Sequence, residues 1–354
     1  MSNWPDTRLL DLFGIQQPII QGPMAGATTL AMMVGVAKAG GLGSLPAAML
    51  LPEQIRQQTE AFRRAVQAPL NINFFCHQPP TPDPEREKRW KERLAPYYRE
   101  QGLDFNAPTP VSSRAPFDET SCQLVEELRP EIVSFHFGLP PKPLLDRVKA
   151  TGALIIGCAT TVDEARWLQE RGCNAIIAMG NEAGGHRGIF LSNDLNTQVG
   201  TIALVPQIVD AVKVPVIAAG GIGDARGIAA AFMLGASAVQ LGTSYLFTPE
   251  AKISASHQQA LRTAKESETA LTNLFTGRPA RGIMNRVMRE LGPISDMAPA
   301  FPLAGGALMP LRAKGEADFS NLWSGQALRL AVELPAEELT RQLAQQALTR
   351  LKGH

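Results

Sequence analysis

Short apolar runs that stop at glycine or small polar residues alternate along this chain with longer stretches in which apolar positions recur every three or four residues. The short runs fall at 18–21, 42–45, 70–74, 132–135, 154–157, 175–179, 216–219 and 238–241. Their length and their Val, Ile, Leu and Ala content predict strands. The longer stretches at 29–39, 52–66, 142–150, 162–171, 202–212 and 225–234 each carry one apolar stripe and predict helices. Strand followed by helix, repeated eight times, predicts an α/β fold in which parallel strands close into a (β/α)8 TIM barrel.

The rhythm breaks between 74 and 132, where Pro79, Pro80, Pro82 and Pro84 precede a charged helical stretch at 85–100. This reads as an elaborated loop capping one end of the barrel, with Trp90, Tyr97 and Tyr98 turned inward and Pro96 ending or kinking the helix. After 241 come a helix at 252–267, a Gly/Pro/Arg stretch at 276–282, a Pro/Gly-rich connection through Gly306 and a closing helix at 335–351. The expected division is a barrel over 1–244, a smaller, mostly helical domain over 245–320, and a segment at 321–354 that packs back on the barrel.

A chain of 354 residues with 45% hydrophobic content can bury one barrel core and an appendage. A net charge of +1, with no Lys/Arg tract, gives no field to recruit nucleic acid or an anionic membrane. No run reaches the roughly 18 apolar residues a spanning helix needs, and Met1-Ser2-Asn3-Trp4-Pro5-Asp6 does not read as a secretory leader, so a cytoplasmic location is expected. Cys76, Cys122, Cys158 and Cys173 lack a C-x-x-C pair and read as buried reduced thiols rather than a zinc site or disulfide framework.

The chemistry concentrates where strands end. Gly180-Asn181-Glu182-Ala183-Gly184-Gly185-His186-Arg187-Gly188 follows the run at 175–179. Glycine lets main-chain amides of Gly184 and Gly185 come close to a ligand, and His186 supplies a group that takes a proton near neutral pH. Ala219-Gly220-Gly221-Ile222-Gly223-Asp224 and Gln240-Leu241-Gly242-Thr243 follow the seventh and eighth strands, where barrels bind phosphate on unpaired amides and a hydroxyl. A dinucleotide fold fits less well, since the third glycine of 221–227 comes one residue late and Gln240 stands where an acidic residue belongs. Glycines that only serve tight turns are the plain alternative. Pro23 and Met24, in Ile20-Gln21-Gly22-Pro23-Met24-Ala25-Gly26, could border a flat aromatic ligand, or merely stop a strand before a capped helix. Asn71 and Asn73 alternate on one face of their strand and could bond the edge of a heteroaromatic ring.

Histidines divide by context. His136, in Ser134-Phe135-His136-Phe137-Gly138-Leu139-Pro140, is expected at the same barrel mouth as His186, one of the pair catalytic and the other satisfied or substrate-binding. No metal site is expected, because only Glu182 could join them and Cys76-His77 lacks further ligands. His77 reads as structural or loop surface, and His257 and His354 as exposed.

Together these segments resemble the nitronate monooxygenases, formerly called 2-nitropropane dioxygenases, over nearly the whole chain. Glu182-Ala183-Gly184-Gly185-His186-Arg187-Gly188 is the most specific element, Ser134 to Pro140 looks like class I members, and Trp323-Ser324-Gly325-Gln326 resembles the C-terminal signature. The resemblance implies non-covalent FMN on Pro23, Met24, Ala25, Asn71, Gly184, Gly185, Gly220, Gly221, Gln240, Gly242 and Thr243, with His186 as base and His136 binding substrate. It implies oxidative denitrification of alkyl nitronates, propionate 3-nitronate or nitroalkanes, by O2 to a carbonyl compound and nitrite, with a homodimer among the candidate assemblies. The chain departs from relatives in having only three tyrosines, with Phe301 and Trp323 in a stretch where relatives place tyrosines near substrate; Arg281, Arg286 or Arg312 could read a substrate carboxylate instead. An NAD(P)H-dependent flavin reductase acting on enoyl thioesters or quinones is the alternative on the same fold, and a flavin-free phosphosugar isomerase or lyase a more distant one.

Overall fold

Each apolar run forms a strand in the computed structural model, which describes residues 3–110, 114–314 and 317–353. In chain order the strands are β1 (Ile19–Gln21), β2 (Gly43–Pro46), β3 (Leu70–Phe75), β4 (Ile132–His136), β5 (Leu154–Ala159), β6 (Ala175–Met179), the short β7 (Gly185–His186) outside the barrel, β8 (Val216–Ala219), β9 (Ala238–Leu241), β10 (Thr269–Thr272) and β11 (Ala280–Ile283). Eight of them form one parallel sheet, ordered β1-β9-β8-β6-β5-β4-β3-β2. Gln21 N–H donates to the Leu42 carbonyl at 2.9 Å and Leu42 N–H to that of Ile19 at 3.0 Å, which joins the first strand to the second and closes the (β/α)8 barrel.

The strands are buried because helices cover their outer faces, so alternation of polar residues is lost and continuous apolar runs remain. Helix starts follow local chemistry: the Thr29 hydroxyl accepts from Met32 N–H ahead of Leu30–Lys38, and the Thr161 hydroxyl from Glu164 N–H ahead of Val162–Glu170. β5 runs two residues past the glycine expected to end it. A Cβ on Gly157 would lie 2.6 Å from Leu168 Cδ2, so this glycine admits a close helix instead of stopping a strand. Cys122, Cys158 and Cys173 are buried and Cys76 is half-buried, all as free thiols.

A second core forms where the helix Pro84–Glu100 meets the segment after β9. Trp90 and Tyr98 are fully enclosed there, donating to the carbonyls of Ala304 and Ala307. The helix runs through Pro96 rather than ending at it. Only one turn follows the proline, and burial of Leu94, Tyr97 and Tyr98 on this core outweighs one missing main-chain hydrogen bond. Besides its helices, the tail supplies the hairpin β10-β11, whose second strand pairs antiparallel with β7, so it grips the loop that carries His186. The last helix, Ala336–Lys352, packs between Leu30–Lys38 and Ala225–Met233, where a Cβ on Gly35 would already lie 3.2 Å from Ala336 Cβ.

His257 differs from the expectation of exposure. It is buried, and its Nε2 donates to the Trp323 carbonyl at 3.1 Å, because the chain folds back over the helix Ala255–Thr263. His354 lies outside the described residues. No helix among them is long and apolar enough to cross a membrane.

Candidate functional site

A cavity of about 740 Å³ opens at the C-terminal ends of the barrel strands. Residues just past β1, β6, β8 and β9 line it, which brings the glycine segments predicted from sequence to one place: Gly22 to Gly26, Glu182 to His186, Gly220 to Gly223, and Gly242 with Thr243. Gly220 and Gly221 have φ of +100° and +69°, a left-handed conformation that glycine adopts without strain. A Cβ on Gly184 would lie 2.5 Å from Gly325 N, so the signature around Trp323 reaches the loop only because both residues are glycine. Gly325 N–H donates to Thr243 Oγ1 at 2.9 Å and Gln326 N–H to the Glu182 carbonyl at 3.0 Å. Thr243 therefore accepts from the protein and keeps its own hydroxyl proton for a ligand.

Not every residue expected to touch a cofactor lines the cavity. Asn73 and Gln240 do, whereas Asn71 lies beneath them, its Nδ2 donating to Ser44 Oγ at 2.9 Å. The Oδ1 of Asn71 and the Oε1 of Gln240 are buried with no partner among the described residues, an uncommon state for amide oxygens. Gln21 was missed from sequence: it is fully buried, and its Oε1 accepts from Ser44 N–H at 3.0 Å while its Nε2 donates to the Gly22 carbonyl. At the end of the run Pro18-Ile19-Ile20 such a residue reads as the stop of a strand, since only closure of β1 on β2 shows what it bonds.

His186 sits on β7 and lines the cavity. Four aromatic rings stand around it: Phe75 and Phe137 at 6.1 Å, Phe301 at 5.4 Å and Trp323 at 5.5 Å between centroids. Its Nε2 lies 2.9 Å from Thr276 Oγ1. Burial, then the charge of Arg114, hold the imidazole well below its usual range and hence neutral. His136 also lines the cavity, and its Nε2 lies 3.1 Å from the His186 carbonyl oxygen. A carbonyl only accepts, so this nitrogen carries the proton. His77 is buried edge-on against Phe301 at 4.7 Å and does not line the cavity, in keeping with a structural place.

Charged groups around the cavity are mostly basic. Among the described residues Arg114, Arg312 and Lys252 line it together with one carboxylate, Glu182. That carboxylate is spent on the start of the helix Thr201–Ala211, accepting from Thr201 N–H and Oγ1–H at 2.9 Å each, so it is no free metal ligand. Arg187 is fully buried, and donates to the carbonyls of Gly180 at 2.6 Å and Met179 at 2.8 Å, tying the loop to the end of β6. Of the three arginines considered for a substrate carboxylate, only Arg312 lines the cavity. Arg281 donates to the Asn181 carbonyl at 2.9 Å, and Arg286 pairs with Glu100 and Glu290 on the surface.

Burial pushes both His136 and His77 down to about 4, whereas an unfolded histidine takes its proton near pH 6.5. Between these values the unfolded chain binds more protons, so stability falls as pH drops through that window. The melting temperature is expected to be lower at pH 5 than at pH 7, and His136→Gln, which keeps an N–H donor for the His186 carbonyl, to flatten the drop. An equal pH dependence in both proteins would remove His136 from the cause.

The family model for nitronate monooxygenase matches residues 6–346. A nitronate monooxygenase of Pseudomonas aeruginosa is 41% identical over 96% of this chain and 98% of its own length, and one of Paraburkholderia phytofirmans 39% identical over 95% and 93%. Among solved structures, a nitroalkane oxidase from Streptomyces ansochromogenes superposes with a TM-score of 0.87 at 35% identity, over 98% of this chain and 99% of that one. FabK from Thermotoga maritima gives a TM-score of 0.75 at 25% identity, covering 98% and 97%.

Proposed function

The chain belongs to the nitronate monooxygenase family, and from that premise we propose that it uses FMN to oxidise alkyl nitronates, propionate 3-nitronate among them, with O2 as acceptor, yielding a carbonyl compound and nitrite. The observation that carries this reading is a neutral imidazole, His186, in the same cavity as the glycine segments that follow the last two barrel strands. The residues present suit FMN: main chain of Gly220, Gly221 and Gly242 with the Thr243 hydroxyl for the phosphate, and the buried amide oxygen of Gln240, which lines the cavity, for an N–H group of the ring. Bound FMN would supply the oxidising power and the reaction with O2.

The chain's own residues supply position and proton handling. His186 accepts the proton on the carbon next to the nitro group; the C–H pair becomes the C=N bond and the nitro oxygens take the negative charge. Arg114 and Arg312 favour that anion. Phe75, Phe137, Phe301 and Trp323 crowd the imidazole with apolar surface, which disfavours its charged form and leaves it a base at neutral pH. A nitronate arriving as an anion needs no such step.

Anaerobic mixing of the FMN-loaded protein with propionate 3-nitronate, and separately with NADH, tests the proposal through the flavin absorbance. Bleaching by the nitronate alone is expected. Bleaching by NADH alone would instead support an NAD(P)H-dependent flavin reductase, and a protein that takes up no FMN would refute both.

A further inference from the structure

Thr276 was singled out by neither the sequence pattern nor the family resemblance, yet among the described residues it makes the one side-chain hydrogen bond to the His186 ring. It is buried, in the turn between β10 and β11. That turn is held firmly. Gly277, at φ +90°, donates to the Asn273 carbonyl at 2.7 Å and fits against Pro299 where any Cβ would collide with a carbonyl oxygen. Arg278 stacks its guanidinium 4.1 Å from the centre of the Phe137 ring and donates to the Ile189 carbonyl. Thr276 Oγ1 thus has a fixed position rather than a range of rotamers.

One proton on that hydroxyl must choose between two neighbours. Thr276 Oγ1 lies 2.9 Å from His186 Nε2 and 3.3 Å from the Arg278 carbonyl oxygen. The carbonyl can only accept whereas Nε2 can donate or accept, so both contacts are hydrogen bonds at once only when the hydroxyl proton goes to the carbonyl and the oxygen turns a lone pair to Nε2. In that arrangement Nε2 carries the imidazole hydrogen, which leaves Nδ1 as the nitrogen that accepts. The His186 main chain is fixed as well, through β7 pairing with β11 and through His136 on its carbonyl.

We propose that Thr276 is a positioning residue that holds His186 as the Nε2–H tautomer, making Nδ1 the atom that accepts the substrate proton. This rests on the reading of His186 as the base. The charges facing His186, on Arg114 and Arg278, and the neighbouring rings of His136 and His77, are left in place by a change at Thr276.

Long-range proton–nitrogen NMR of histidine-labelled protein reads the tautomer directly, the His186 signals being those absent from His186→Asn. The parent and Thr276→Ser are expected to show a protonated Nε2 and a bare Nδ1, and Thr276→Val a mixture of both tautomers. Loss of one neutral hydrogen bond should lower kcat/KM on nitroethane by roughly fivefold in Thr276→Val, with rescue in Thr276→Ser and no change on preformed propionate 3-nitronate. A protonated Nδ1 in the parent, or unchanged tautomers in Thr276→Val, overturns the proposal, as does an equal loss on both substrates. If His186→Asn keeps its nitroethane turnover, the base reading fails, and the NMR result still decides whether Thr276 sets the tautomer.

Discussion

His186→Asn is expected to lower kcat/KM on nitroethane by about 10²- to 10⁴-fold, the usual contribution of a general base, while turnover of preformed propionate 3-nitronate and binding of FMN persist. Asparagine keeps a polar group of similar reach toward Thr276 but cannot take a proton at neutral pH. The side chain contributes little to holding the loop, which is fixed by β7 on β11, by His136 on the main-chain carbonyl and by Arg187 on Gly180. The fold should therefore survive. Because burial and Arg114 hold the imidazole well below its usual range, the parent should keep its base ready through neutral pH, with the acid limb of the nitroethane profile below about 6.5, the value of a free histidine. Steady-state rates on the two substrates, followed by nitrite release, separate proton removal from everything after it. Equal activity of mutant and parent on nitroethane would take the base role from His186, and an equal loss on both substrates would mean the ring acts on a later step.

The second large effect is expected at Gly242. Its backbone, at φ −110°, suits any residue, and a Cβ there would have only Met24 Sδ within 4 Å, at 3.8 Å. Gly242→Asp should thus fold as the parent does. If the phosphate of FMN sits against Gly220, Gly221 and Gly242, the new carboxylate both fills that space and repels it, and the Kd should rise tenfold or more, about 1.4 kcal/mol or beyond. Flavin fluorescence during titration of the apoprotein gives the Kd, and the melting temperature of the apoprotein shows that folding is unchanged. Gly221→Asp should also weaken FMN, but its φ of +69° and the 3.3 Å approach of Glu182 Cβ add strain to repulsion, so Gly242 gives the cleaner answer. Unaltered affinity in Gly242→Asp would move the phosphate elsewhere.

Much of the scaffold was legible because it rests on local rules. Parallel strands covered on both faces must be apolar throughout, and the helices between them must carry one apolar stripe, so the runs at 175–179, 216–219 and 238–241 coincide with β6, β8 and β9. Glycines mark places where a Cβ cannot fit, so Gly184, Gly220 and Gly221 could be noticed without knowing what approaches them. The helix runs on past Pro96 instead of ending there because helix propensity is local while the burial of Tyr97 and Tyr98 is not. His257 reads as exposed in a polar stretch, and only the returning chain at Trp323 encloses it.

The sequence by itself determined the barrel, the order of its strands' chemistry and the placement of His186 after the sixth strand, because periodicity and glycine act over a few residues. Tertiary structure alone decided what surrounds that histidine. Phe75, Phe301, Trp323 and Thr276 come from segments up to 248 residues apart in the chain (75 to 323), and no local pattern encodes their meeting. The charge state of His186, the commitment of Glu182 to a helix start and the choice of Arg312 over Arg281 and Arg286 at the cavity follow from that meeting, since burial and hydrogen-bond partners are properties of the assembled fold.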